Sequence, residues 1–183
     1  MLESNNPKFN HLKIHTQYSI CEGAIKIDNL KDFCKENKIP CLGLSDTSNL
    51  CGALEFAENI SKVGTQPIIG TQIYFKFEDT TGLLPLIALN EKGYKRIIEL
   101  SSKSYLENDA LSDPHLDFEE LLIDTEGVSL LSGTIQGLFG KLFQKGRLEE
   151  IIEIYKSLSK KFEDRFYLEI QRHGDQNEIA FEK

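Results

Sequence analysis

The chain of 183 residues has no excess of positive charge: 21 lysines and arginines face 29 aspartates and glutamates, for a net charge of −8. Polyanions are held by Lys and Arg neutralising phosphates, so this acidic chain is a poor non-specific ligand for nucleic acid. Any DNA contact is expected through other domains or subunits. No apolar run approaches the roughly 20 residues that cross a bilayer. The opening "MLESNNPKFN" lacks the apolar core of a secretory signal. Both absences predict a cytoplasmic protein with no membrane partner.

Cysteine is scarce as well. Cys21, Cys34, Cys41 and Cys51 form no C-x-x-C pair, and none lies at zinc-finger spacing from a histidine. Buried, reduced thiols are the expectation. The glycines of "GTIQGLFG" (133–140) precede a helical pattern, but no Lys-Ser/Thr follows them, which argues against a phosphate-cradling loop there. No Ser-His-Asp or Cys-His constellation can be argued from spacing. Tyr74, Phe75, Phe166 and Tyr167 lack the interleaved basic residues of a single-strand-binding platform.

What is present is an alternation of strand and helix patterns. Strands are expected at 11–15, 40–46, 66–75, 83–90, 127–133 and 165–174, the fourth weakened by Pro85. Between them lie amphipathic segments. Ile27, Leu30, Phe33 and Cys34 share one face, as do Leu50, Ala53, Leu54, Ala57 and Ile60, with Gly64 as a C-cap. Further helices are read at 93–106, within 113–124, and through Leu148, Ile151, Ile152, Tyr155 and Phe162. Such alternation predicts an α/β fold with a parallel sheet. The whole chain, 1–183, reads as one domain.

In "HLKIH" (11–15), period two places His11, Lys13 and His15 on one face, with Leu12 and Ile14 opposite. Two histidines and a lysine look like a metal site with one wrong residue. Polar residues also gather at the expected strand ends: His15, Asp46, Gln72, Asn90, Gln171 and His173. In parallel α/β folds, sites are built at that end. His11 and His115 read as structural.

"HLKIHTQYSICEGAIKI", "GLSDTSNLCGALEF", "PIIGTQIYF", "NEKGYKRIIELSSKSYLE", "EGVSLLSG" and "FYLEIQRHG" together resemble the N-terminal PHP (polymerase and histidinol phosphatase) domain of bacterial DNA polymerase III alpha subunits. The resemblance implies a distorted (β/α)7 TIM-like barrel and, in active members, a trinuclear metal centre at its mouth. It implies metal positions that here keep His15, Glu22 and His173, while Lys13, Thr47, Gln72 and Thr134 occupy lost ligand positions and Leu83 stands where a histidine often begins the fourth strand. Gln72 is a weak neutral ligand, the threonines offer only hydroxyls, and Lys13 places a cation where a cation would bind. The expectation is a vestigial site with lost hydrolytic chemistry and no cofactor, residual zinc or manganese being the alternative. The Lys13 ammonium is expected either to pair with Glu22 or Asp46, standing in for a metal ion, or to reach water at the barrel mouth. The last family motif, on a seventh strand, would lie beyond Lys183, so an opened barrel, or an edge covered by a second copy, is expected. By resemblance the parent chain is a DNA-directed DNA polymerase with magnesium in a separate domain. The expected partners are the rest of that chain and the proofreading exonuclease epsilon subunit. The alternative is a metal-dependent phosphoesterase of the wider PHP superfamily.

Overall fold

In the computed structural model, which describes residues 9–109, 111–174 and 176–182, the apolar run Cys41–Thr47 forms β1. It is flanked by helices α1 (Ile27–Asn37) and α2 (Ala53–Ser61). Leu42 and Leu44 are wholly buried against Ile27, Leu30 and Cys34 of α1 and Ala53, Phe56 and Ile60 of α2. The C-cap of α2 is Lys62 rather than the expected Gly64, which turns the chain two residues later at φ 79. The helix faces differ in detail from the pattern reading, because Phe33 and Leu54 point outward and Phe56 takes the core position instead.

Strand β2 (Gln66–Phe77) runs parallel to β1, with Asp46 opposite Thr71 and Thr47 opposite Gln72. It continues into β3 (Thr80–Ala88), which is antiparallel to it. The expected all-parallel sheet is therefore corrected. Only Glu78 and Asp79 join these strands, and a parallel crossover needs a dozen residues or more. Glu78 takes φ 52 to close the hairpin. Pro85 is tolerated because pairing of β3 with its next neighbour begins one residue later, at Leu86.

The chain then forms α3 (Glu91–Leu106), the short β4 (Leu116–Asp117) beside β2, α4 (Phe118–Ile123) and β5 (Val128–Leu131), antiparallel to β3. Helices α5 (Leu138–Gln144) and α6 (Leu148–Phe162) lead to β6 (Phe166–Tyr167), parallel to β5, and α7 (Gln176–Phe181) follows. The buried face of α6 is Ile154, Leu158 and Phe162, whereas Leu148, Ile152 and Tyr155 are exposed. The main core lies between β2, β3, β5 and helices α3 to α6, around Ile73, Phe75, Leu84, Leu86, Ile97, Leu130 and Phe162.

The strand order is β1-β2-β3-β5-β6, with β4 on β2, and among the described residues the sheet does not close. The open sheet agrees with the expectation of an opened barrel, but its mixed strands do not show the (β/α)7 arrangement. β6 pairs through only two residues, Phe166 with Leu130 and Tyr167 with Leu131, after which the chain leaves the ladder. The expected first strand reduces to isolated bridges, Ile14 to Leu44 and Thr16 to Ile25. Residues 11–16 still lie along β1, where the Gly43 and Ser45 amides donate to the His11 and Ile14 carbonyls at 2.7 and 2.8 Å. The thiols are also more mixed than expected: Cys34 is buried, but Cys21 and Cys51 are exposed.

Two features of α3 yield predictions. A Cβ on Gly93 would fall 1.8 Å from the Gly127 carbonyl oxygen. Helix propensity alone favours alanine by about 1 kcal/mol, yet Gly93→Ala should destabilise by roughly 2 kcal/mol because backbone has to move; urea unfolding checks the sign. Lys103 first, then Arg96, holds the Glu120 carboxyl below its usual range. The unfolded chain therefore binds that proton first, so this contribution is complete above about pH 4.5 and is lost as pH falls through the lower folded value. Glu120→Gln should flatten the loss of stability between pH 5 and 3, roughly the range where carboxylates titrate, as read by urea midpoints.

Candidate functional site

The polar end of β1 and the middle of β2 meet the segment 13–22, with the chain leaving β6 close by. Asp46 is fully buried. Its Oδ1 accepts from the Thr16 amide at 2.6 Å and the Ser19 hydroxyl at 2.7 Å, and its Oδ2 accepts from the Thr16 hydroxyl at 2.7 Å. A buried carboxylate with three donors of the protein's own is satisfied without an external cation. Beside it, the Thr47 hydroxyl donates to the Glu22 carboxylate and accepts from Gln72 Nε2 at 2.7 Å. The positions assigned by resemblance, Glu22, Thr47 and Gln72, are thus drawn into one hydrogen-bonded chain.

Lys13 does not pair with Glu22 or Asp46. Its ammonium lies 3.1 and 3.4 Å from the two carboxylate oxygens of Glu169, and both side chains are largely buried. Gln171 Nε2 donates to the same carboxylate at 2.9 Å, and the Glu169 amide donates to the Ser132 hydroxyl at 2.9 Å. Residues 11–16 lie along β1 at one end of the strand order and Glu169 follows β6 at the other, so the pair joins the two ends. Glu169, Thr16, Ser19 and Ser132 were missed by sequence reasoning. Glu169 carried a signal, since Tyr167, Glu169 and Gln171 alternate with Phe166, Leu168 and Ile170.

His15 lies half-buried near these groups. Burial first, and the Lys13 ammonium second, push its imidazole below the usual histidine range, opposed by Glu22, Asp46 and Glu169. Its Nδ1 is buried without a hydrogen-bond partner. His173 stands apart from this cluster: its amide donates to Glu178 at 2.8 Å, its ring Nδ1 lies 3.7 Å from the same carboxylate, and its side chain is exposed. Thr134 accepts from the Gln136 amide at 3.3 Å in a local turn, and Leu83 faces Tyr74 in the β2–β3 ladder. Asn90 caps α3 by accepting from the Gly93 amide at 3.0 Å, because the antiparallel β3 carries it to the opposite end of the sheet. His11 meets the Phe9 ring edge-on, and His115 sits in the loop before β4.

The residues present do not fit the trinuclear metal centre that the family implies. Among the described residues, no three His, Cys, Asp or Glu side chains converge in a metal-binding group. The donors that do converge include an ammonium, an amide and a hydroxyl, and the carboxylates already have partners. No chemical step through a metal follows from such a set.

Residues 11–173 match the PHP domain family model. The chain belongs to the PHP domain family. Its relatives include DNA polymerase III alpha subunits from Caulobacter vibrioides (36% identical, covering 100% of this chain and 17% of the relative), Rickettsia felis (37%, 91% and 14%) and Haemophilus influenzae (35%, 97% and 16%). The PHP chain therefore spans about one-sixth of the length of these relatives. A solved structure from Bifidobacterium adolescentis, assigned as a metal-dependent phosphoesterase, superposes with a TM-score of 0.57 at 12% identity, covering 94% of this chain and 81% of that one. That likeness places the PHP chain in the same α/β fold. No helix among the described residues is long and apolar enough to cross a membrane.

Proposed function

We propose that this PHP chain is part of a DNA polymerase III alpha subunit and acts there as a catalytically inactive scaffold that docks the proofreading exonuclease. The observation that carries the inactive reading is the Lys13–Glu169 pair beside Asp46 and Glu22, whose carboxylates have protein donors. Nucleotidyl transfer by the parent chain would use magnesium held by carboxylates in a different domain. The acidic balance of this one agrees with DNA being contacted elsewhere. The docking role rests on the polymerase relatives and on resemblance.

The rival reading is a metal-dependent phosphoesterase, favoured by the His15 Nδ1, a buried ring nitrogen left without a hydrogen-bond partner. One assay series separates the two. The purified chain, given manganese or zinc, is expected to leave p-nitrophenyl phosphate and single-stranded DNA intact, and to co-elute with the exonuclease subunit of its own organism in gel filtration. Phosphoester turnover that is abolished by His15→Ala would favour the phosphoesterase. Separate elution from the exonuclease would remove the docking role.

A further inference from the structure

We infer that the Lys13 ammonium is a built-in cation that takes the place of bound positive charge at the mouth of the sheet and, through Glu169, latches the two margins of that sheet together. The inference deepens the scaffold reading and rests on it.

The topology supplies the first argument. β1 and β6 end the strand order on opposite sides, and no backbone pairing joins them among the described residues. Residues 11–16 extend the β1 margin, and residues 168–171 continue from β6. Between these margins lies a cavity of about 730 Å³ whose wall includes Leu12, Ile68, Ile87, Leu131 and Tyr167. Lys13 and Glu169 sit one on each side and bridge it at 3.1 Å. An ion pair spans what the ladder leaves open.

The charge balance supplies the second. The charged groups near His15 include Lys13, Glu22, Asp46 and Glu169, one cation beside three carboxylates. Asp46 has three neutral donors and Glu22 has the Thr47 hydroxyl. Glu169 is the one whose partners include a full positive charge, with Gln171 as a neutral second donor. A divalent ion entering here would meet the ammonium at like-charge distance, and it would gain Glu169 only by displacing a tethered cation that dilution cannot remove.

The test is thermal unfolding of the purified chain in chelator and, separately, in manganese chloride. In chelator, Lys13→Ala is expected to lower the midpoint by roughly 5 °C or more, since it strands a mostly buried carboxylate. Lys13→Ala/Glu169→Gln should recover at least half of that loss. Manganese should raise the midpoint of Lys13→Ala and leave the wild type unmoved. If Lys13→Ala does not fold, Glu169→Gln alone should lower the midpoint and the double variant should restore it. A single variant that melts with the wild type, or a double variant with purely additive losses, would overturn the latch. Manganese stabilising the wild type as much as Lys13→Ala, or failing to stabilise Lys13→Ala, would overturn the substitution. Phosphoester turnover by the wild type would instead overturn the scaffold reading, while the coupling between Lys13 and Glu169 stays measurable.

Discussion

Asp46→Ala should cost about 4 kcal/mol of unfolding free energy, since three donors lose their acceptor inside the protein at roughly 1–3 kcal/mol each and some recover other partners. The donors are the Thr16 amide, the Thr16 hydroxyl and the Ser19 hydroxyl, and Asp46 has no solvent exposure. Relief by water is therefore poor. Asp46→Asn provides the internal control. Its amide oxygen can keep the Thr16 amide and the Ser19 hydroxyl, and the Thr16 hydroxyl can rotate to accept from the new NH2 group. A loss of about 1–2 kcal/mol is expected for asparagine, near the ordinary worth of a hydrogen bond to a charged group. Urea unfolding of both variants checks the contrast. Equal losses would mean that the negative charge itself, rather than the acceptor count, holds the 16–19 turn. That would reopen the case for a cation at this end of the sheet.

Arg96→Met should be nearly as damaging, at about 3 kcal/mol, the range for breaking a buried charged network by removing one partner. Arg96 on α3 is buried. It donates to the Glu120 carbonyl at 2.6 Å and the Asp124 carbonyl at 3.2 Å, and it pairs with the Glu120 carboxylate at 3.2 Å and with Glu99 at 3.1 Å. It therefore ties the end of α4 to α3, across the turn that feeds β5. Methionine keeps the aliphatic length and removes every donor, so two carbonyls lose their partner while the packing is largely preserved. Lys103 remains 2.8 Å from the Glu120 carboxylate and limits the electrostatic loss. A chemical-denaturation midpoint indistinguishable from wild type would show that water replaces the guanidinium at this junction.

The sequence made the alternation of elements legible because β1 is a short apolar run and α1, α2 and α6 are amphipathic, even where the buried face differs by a residue or more from the pattern. It made the Lys13 and His15 face legible too, since period two does not depend on whether the ladder is regular. The β2–β3 hairpin was harder to see. Both runs are largely apolar, as parallel strands are, and only the short interval 76–82 with no helix in it argued for a reversal. Helix α6 misled for a related reason: Leu148, Ile152 and Tyr155 form as good a stripe as Ile154, Leu158 and Phe162, and tertiary packing chooses between them. At the site, Glu22, Thr47 and Gln72 were placed by resemblance and do meet. Glu169 was passed over because the reading of that segment went to Gln171 and His173 at its expected polar end. The partner of Lys13 depended on how far the sheet curls, which no local pattern encodes.

The measurement that bears most directly on the account is the metal content of the chain after exposure to excess manganese and zinc, followed by desalting without chelator and inductively coupled plasma mass spectrometry. An ammonium in the cation position, and carboxylates already served by Thr16, Ser19 and Thr47, predict manganese and zinc far below one ion per chain. Retention of about one ion per chain or more, lost on replacing His15 or Glu22, would contradict the account and return this PHP domain to the metal-dependent phosphoesterases.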